Sequence, residues 1–274
     1  MTKGTYLENI LHRRRERLAA EMARESLAEV RELAQRAAVP VRSLSEALRG
    51  GGGSAGGIKV VAEIKRASPS KGALTPDLNP AGLAGEYVAA GASAVSVLTE
   101  PDFFRGSALD LALVKGAVAV PVLRKDFLVD PYQVYQSRVM GADAVLLIVA
   151  ALGEATGEML ALAGELGMDA LVEVHTVSEC EAALAAGAKI IGINNRNLRN
   201  FHVDLGVTEE VAPPASAGGG SGIVLVSESG IRTRADVERV AAAGAGAVLV
   251  GESLVTAKDP AAALRELLGL RGGC

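Results

Sequence analysis

The chain of 274 residues contains no Trp, and four Tyr and four Phe complete its aromatic set. It also lacks any basic excess: 28 Lys and Arg stand against 32 Asp and Glu, a net charge of -4. A nucleic-acid partner demands a positive face and stacking platforms, so none is expected. Its two cysteines, Cys180 in a helical-looking stretch and Cys274 at the last position, supply neither a disulfide framework nor metal-ligand spacing, and both read as structural. The longest run of only apolar residues and Gly, Val240 to Gly251, has 12 members, where a bilayer span needs roughly 17 to 25. No membrane segment is expected. The charged stretch Arg13 to Arg17 carries no export signal, so the expected compartment is the cytoplasm. Glycine-rich nucleotide motifs of the G-x-G-x-x-G and Walker types are missing as well, and no lysine stands in a context that calls for a Schiff-base cofactor. Three histidines, His12, His175 and His202, are scattered, and a lone His175 near a strand end does not make a metal site. Neither a cofactor nor a metal is expected.

What is present is apolar and periodic. Hydrophobic residues make up 49% and charged residues 22% of the chain, enough to bury a sizeable core. Segments built as Gly-Ala followed by an apolar run recur from Gly91, Gly141, Gly187 and Gly244, each after an Ala-rich amphipathic stretch. The pattern reads as helix, Gly stop and buried strand. Similar apolar runs without that lead-in complete a set of eight candidate strands at 58–64, 94–98, 119–124, 143–149, 169–174, 189–194, 223–228 and 247–251. Continuous rather than alternating apolarity implies a sheet covered on both faces, hence parallel βα units. Eight such units make an α/β fold of the (β/α)8 TIM barrel type.

The expected organisation is an N-terminal helical extension over 1–57 that packs on a barrel over 58–274. Thr5-x-x-Glu8 has the form of a capping box, and Leu7, Ile10, Leu11, Leu18, Leu27, Val30 and Leu33 fall on helical faces, so one or two extra helices are expected. The Gly/Ser-rich stretches 50–57 and 215–222 read as surface loops without chemistry.

In a barrel of this type the C-terminal strand ends carry the site. Here they read Glu63-Ile64-Lys65, Arg124-Lys125-Asp126-Phe127, Glu173-Val174-His175, Asn194-Asn195-Arg196, Glu228-Ser229-Gly230 and Gly251-Glu252-Ser253. Two lysines and three carboxylates converge on one mouth. A self-satisfied salt-bridge network would be the structural alternative, but burying several ions costs several kcal/mol each, whereas acid-base chemistry requires such a cluster. Ser229-Gly230 and Gly251-Glu252-Ser253 follow the seventh and eighth strands, the usual phosphate position, where small residues let backbone N–H groups approach an anion. A phosphorylated small molecule is therefore the expected partner.

These residues also carry a family resemblance. Glu63-Ile-Lys-Arg-Ala-Ser-Pro-Ser-Lys-Gly72 resembles the signature of the indole-3-glycerol phosphate synthases. Leu123 to Phe127, Leu171 to His175, Ile191 to Leu198, Val226 to Gly230 and Val250 to Ser253 agree with that family in order, over about residues 5 to 270. The phosphoribosylanthranilate isomerases share the barrel but use Cys at the first strand end and Asp at the sixth, where this chain has Glu63 or Lys65, and Asn194.

The resemblance implies a cofactor-free lyase of tryptophan biosynthesis. It would convert 1-(2-carboxyphenylamino)-1-deoxyribulose 5-phosphate to indole-3-glycerol phosphate, CO2 and water. It further implies Lys125 as proton donor for ring closure, Lys65 as acid for dehydration, and Glu63 or Glu173 as base. Asn194 and Glu228 would position intermediates, Phe104 and Phe127 would pack the aryl ring, and Arg196 would assist near anionic groups. Ser68, Ser229, Gly230, Gly251, Glu252 and Ser253 would hold the phosphate. The expected working unit is a monomer. The alternative, a non-catalytic barrel that binds a phosphorylated ligand, would have no need of both lysines and all the carboxylates.

Overall fold

The computed structural model describes residues 5–51, 57–75, 77–219 and 222–270. Among them eight parallel strands close a barrel: β1 Lys59–Ile64, β2 Ala94–Leu98, β3 Val122–Lys125, β4 Ala144–Ile148, β5 Asp169–Val174, β6 Ile190–Asn194, β7 Val224–Glu228 and β8 Ala247–Val250. Each pairs in parallel with its sequence neighbours, and β1 pairs with β8 (Lys59 opposite Ala247) to complete the ring. The strand assignments from sequence hold to within one residue at each end, with one larger shift. β3 begins at Val122 rather than 119, because Pro121 lacks the N–H that a ladder position needs.

Helices α4 Pro80–Ala89, α5 Ala108–Ala117, α6 Pro131–Val139, α7 Thr156–Glu165, α8 Val177–Ala185, α9 Gly206–Gly219, α10 Arg234–Ala242 and α11 Pro260–Leu268 follow the strands. Their starts are written in the sequence. Asn79, Ser107, Asp130, Thr176, Thr233 and Asp259 each cap a first-turn N–H with a side-chain oxygen.

α9 corrects the reading of 215–222 as a loop. Residues 215–219 form its last turns, and Ala215 is buried with Val211 and Ala212. Pro213 and Pro214 lie inside the helix but face solvent. Their missing N–H groups therefore cost two helix bonds while the apolar face against the barrel remains whole. The central part of 50–57, residues 52–56, lies outside the described residues, as does Cys274.

The segment before β1 forms three helices, α1 Tyr6–Met22, α2 Leu27–Arg36 and α3 Leu44–Leu48, one more than the sequence periodicity predicted. The Thr5–Glu8 capping box is present, with Glu8 N–H donating to Thr5 Oγ1 at 3.2 Å and Thr5 N–H to Glu8 Oε2 at 2.7 Å. α1 lies over the C-terminal mouth: Leu7 N–H donates to Leu198 O, and Arg17 forms a two-pronged pair with Asp102 beyond β2. α3 takes the opposite end. Ser45 N–H and Ser43 Oγ donate to Asp169 at the start of β5, and Arg42 N–H donates to Asp143 just before β4. Leu44 and Leu48, both buried, pack with Val61, Leu123, Leu146 and Leu171 of the barrel interior. The segment thus contacts both ends of the barrel.

Candidate active site

Parity along each strand decides which side chains reach the mouth. Glu63 on β1, Lys125 on β3, Glu173 on β5, Asn194 on β6 and Glu228 on β7 all sit at or near C-terminal strand ends and line one pocket, with Lys65 one step past β1. The pocket holds about 1070 Å³, counted out to its open mouth. Glu63, Glu173 and Glu228 are only 5%, 3% and 1% exposed, so three carboxylates stand in low-dielectric surroundings.

Their partners are the two lysines. Lys65 Nζ donates to Glu63 Oε1 at 2.8 Å, while Lys125 Nζ stands 3.6 Å from Glu173 Oε2 and 3.6 Å from Glu228 Oε2. Burial would lower the Lys125 pKa, but the charges of Glu228, Glu173 and Glu63 outweigh it and hold the ammonium well above its ordinary range. Burial would likewise raise Glu63, and there Lys65 and Lys125 win and hold it below the usual carboxylate range. Glu228 goes the other way. Desolvation, with Glu173 and Glu63 adding to it against the pull of Lys125, pushes it up to about 8. Neither of its carboxyl oxygens has a hydrogen-bond partner within the described residues. Asn194 Nδ2 donates to Glu173 Oε1 at 3.0 Å, and the Asn194 carbonyl meets His175 Nδ1 at 2.7 Å. His175 itself does not line the pocket.

Part of the lining is apolar. Phe104 and Phe127 lie with ring centroids 6.2 Å apart, and Leu146, Ile148, Leu198 and Phe201 continue the surface. Arg196 stacks on Phe201, its guanidinium carbon 5.7 Å from the ring centroid. A planar aromatic group of a ligand could lie here while its polar end reaches the lysines.

The remaining expected residues, Ser68, Arg196, Ser229, Gly230, Gly251, Glu252 and Ser253, line the same pocket. Ser229 has φ 66° and Gly230 φ 84°, so the chain turns sharply at the end of β7. Ser253 Oγ donates to Ile231 O at 3.0 Å, which leaves its backbone rather than its hydroxyl for an anion. The Glu252 carboxylate is paired at 2.7 Å by Lys71 Nζ, from the segment that follows the neighbouring β1. Burial would raise Glu252, but Lys71 outweighs it and keeps the carboxylate ionised. The charged neighbours of site residues are taken up by other pairs: Arg66 pairs with Asp110, and Asp126, which also lines the pocket, pairs with Arg124 and with Arg14 of α1.

Sequence reasoning missed part of the apolar wall. Leu146 and Ile148 share one parity of β4 and could have been found from alternation, whereas Leu198, Phe201 and Val203 reach the pocket only through the fold of the loop after β6, closed by the Arg196–Val203 bridge. No helix among the described residues is long and apolar enough to cross a membrane.

Comparison with known proteins bears on the same residues. The family model for indole-3-glycerol phosphate synthase matches residues 7–267. An indole-3-glycerol phosphate synthase of Mycobacterium sp. (strain KMS) is 48% identical over 269 residues, covering 98% of this chain and 95% of its own. One from Carboxydothermus hydrogenoformans is 45% identical over 267 residues, covering 96% and 99%. Among solved structures, a thiamine phosphate pyrophosphorylase from Pyrococcus furiosus aligns with TM-score 0.55 over 78% of this chain and 94% of its own, at 16% identity, a likeness of fold alone. With a family model across nearly the whole length, and relatives close to half identical over the same span, the chain belongs to the indole-3-glycerol phosphate synthase family.

Proposed function

We propose that this chain converts 1-(2-carboxyphenylamino)-1-deoxyribulose 5-phosphate to indole-3-glycerol phosphate, CO2 and water. One observation carries the reading: a charged Lys125 held between Glu173 and Glu228, in one pocket with the Phe104–Phe127 pair. A substrate with an anthranilate ring at one end and a phosphate at the other spans this pocket from the apolar wall to the ends of β7 and β8.

Ring closure joins the carboxyl-bearing ring carbon to the ketone carbon. The ketone oxygen takes a proton from Lys125, which the acidic groups around it keep as an ammonium. The attacking ring carbon becomes tetrahedral beside an iminium, so when the C–COO⁻ bond breaks its electron pair returns to the ring and CO2 leaves. The iminium is the electron sink, and no cofactor enters the scheme. Dehydration follows. Lys65, hydrogen-bonded to Glu63, protonates the departing hydroxyl, and Glu63 or Glu173 removes the ring proton. Asn194, bonded to Glu173, and Glu228 position the intermediates, while Arg196 assists near the anionic groups. Ser68, Ser229, Gly230 and Gly251 hold the phosphate, with Glu252 and Ser253 through their backbone N–H groups. The reading takes the single chain as the working unit and the cytoplasm as its compartment.

The test is to add the substrate to the purified chain, with a chelator and no cofactor, and to follow indole fluorescence between pH 6 and 9. Product accumulation is expected; its absence across that range would overturn the assignment in favour of a binding barrel.

A further inference from the structure

Asn195 follows Asn194 directly yet does not line the pocket; it is 1% exposed and lies beneath the turn that ends β7. Its Nδ2 lies 3.0 Å from each of Ser227 Oγ, Glu228 O and Ser229 O. Its Oδ1 accepts from Thr208 N–H at 3.2 Å and Thr208 Oγ1 at 2.8 Å, on α9. The amide orientation follows from chemistry: the Thr208 backbone N–H can only donate, and the two carbonyls can only accept. Asn195 N–H donates to Glu228 O as well, at 2.9 Å, so that one carbonyl is held twice. Thr208 and Ser227, both fully buried, close the network at 2.8 Å between their hydroxyls.

The turn held this way is strained. Ser229 has a side chain yet sits at φ 66°, a region costly for residues other than Gly, and it precedes Gly230 at φ 84°. Gly230 is pressed from outside by Val203 and Leu205, whose side-chain atoms would stand 2.8 and 3.1 Å from a Cβ there. The turn carries the Glu228 side chain on one side and the Ser229–Gly230 backbone on the other. A loss of its anchor would let Ser229 relax toward ordinary φ and swing both.

We propose that Asn195 is a positioning residue, which through its amide bonds to the Glu228 and Ser229 carbonyls sets the backbone of the phosphate-binding turn and the reach of Glu228 into the pocket. The inference rests on the phosphate site of the proposed function, and it assigns to a buried neighbour of the site the work of shaping it.

Inorganic phosphate binding to the substrate-free protein, measured by calorimetry, tests it alongside KM and kcat. Asn195→Ala should weaken phosphate and raise KM, each on the order of tenfold, with a smaller fall in kcat. Ser227→Ala removes a hydroxyl from the same buried network but leaves both carbonyl bonds in place. It should lower Tm and leave phosphate affinity and KM within about twofold. Asn195→Asp, which keeps the shape and the bonds from Thr208 but turns an acceptor toward two carbonyls, should weaken phosphate as Asn195→Ala does. It also serves if the alanine variant does not fold. Phosphate affinity within twofold of the parent in either folded Asn195 variant overturns the proposal, as does a parent that binds no phosphate. Turnover by the parent decides the function itself, so the two can fail separately.

Discussion

The Cα of Gly251, just past the end of β8, faces the Glu63 side chain on β1 so closely that a Cβ there would stand 3.0 Å from both Cβ and Cδ of Glu63 and closer still to its Oε1. The sequence suggests a glycine at this point for backbone approach to an anion; the structure adds that the space a side chain would need is already filled by the carboxylate.

Gly251→Ala should therefore displace Glu63 and break its bond to Lys65, lowering kcat by about tenfold or more, with a smaller effect on inorganic phosphate affinity. Steady-state kinetics with phosphate inhibition would show this, and circular dichroism would verify the fold. Lost phosphate affinity with kcat retained would contradict it.

Glu228 predicts a pH dependence of stability. In the folded chain it keeps its proton up to about 8, against an ordinary value of 4.5. Between those values the folded state binds more protons than the unfolded state, so the contribution of Glu228 to stability falls as pH rises. Glu228→Gln removes this titration. Its Tm relative to the parent should rise from pH 5 to pH 8 and level off above; a difference that is flat or falls over that range would contradict the account.

The last turns of α9 give a test of the corrected helix. Ala215 is buried against the barrel and Ala217 is exposed. Ala215→Asp places an unpartnered carboxylate in the core and should cost about 3 kcal/mol or more, lowering Tm by several degrees. Ala217→Asp should change Tm by less than about 1 °C. Equal small effects would mean that this stretch is a loop after all.

The barrel strands were legible because both faces are covered, so each reads as an apolar run, and β1, β3, β5 and β7 carry near their ends a charged residue that must face the mouth. Glu63, Lys125, Glu173 and Glu228 follow from that rule alone. Residues 215–219 were not legible: local chemistry, with Pro213, Pro214 and several Gly and Ser, argues for a loop, and only the burial of Val211, Ala212 and Ala215 on the barrel overrides it. α3 escaped notice for a similar reason. It has five residues, too few for a periodic signal, and its place at the bottom of the barrel depends on Asp143 and Asp169, far along the chain. The Asn195–Thr208–Ser227 network joins three elements through short polar side chains that a sequence does not distinguish from surface residues. Leu198 and Phe201 depend in the same way on the path of one loop.

The central claim is that one mouth uses two acids at two steps, Lys125 on β3 for ring closure and Lys65 beyond β1 for dehydration. General acid removal lowers a rate by roughly 10² to 10⁴. The decisive measurement is a single-turnover experiment that follows CO2 release and indole fluorescence together in Lys65→Ala and Lys125→Ala. The account predicts that Lys65→Ala releases CO2 ahead of indole, whereas Lys125→Ala releases neither on the time scale of the parent. Loss of both signals in parallel in the two variants would contradict the division of labour between the lysines.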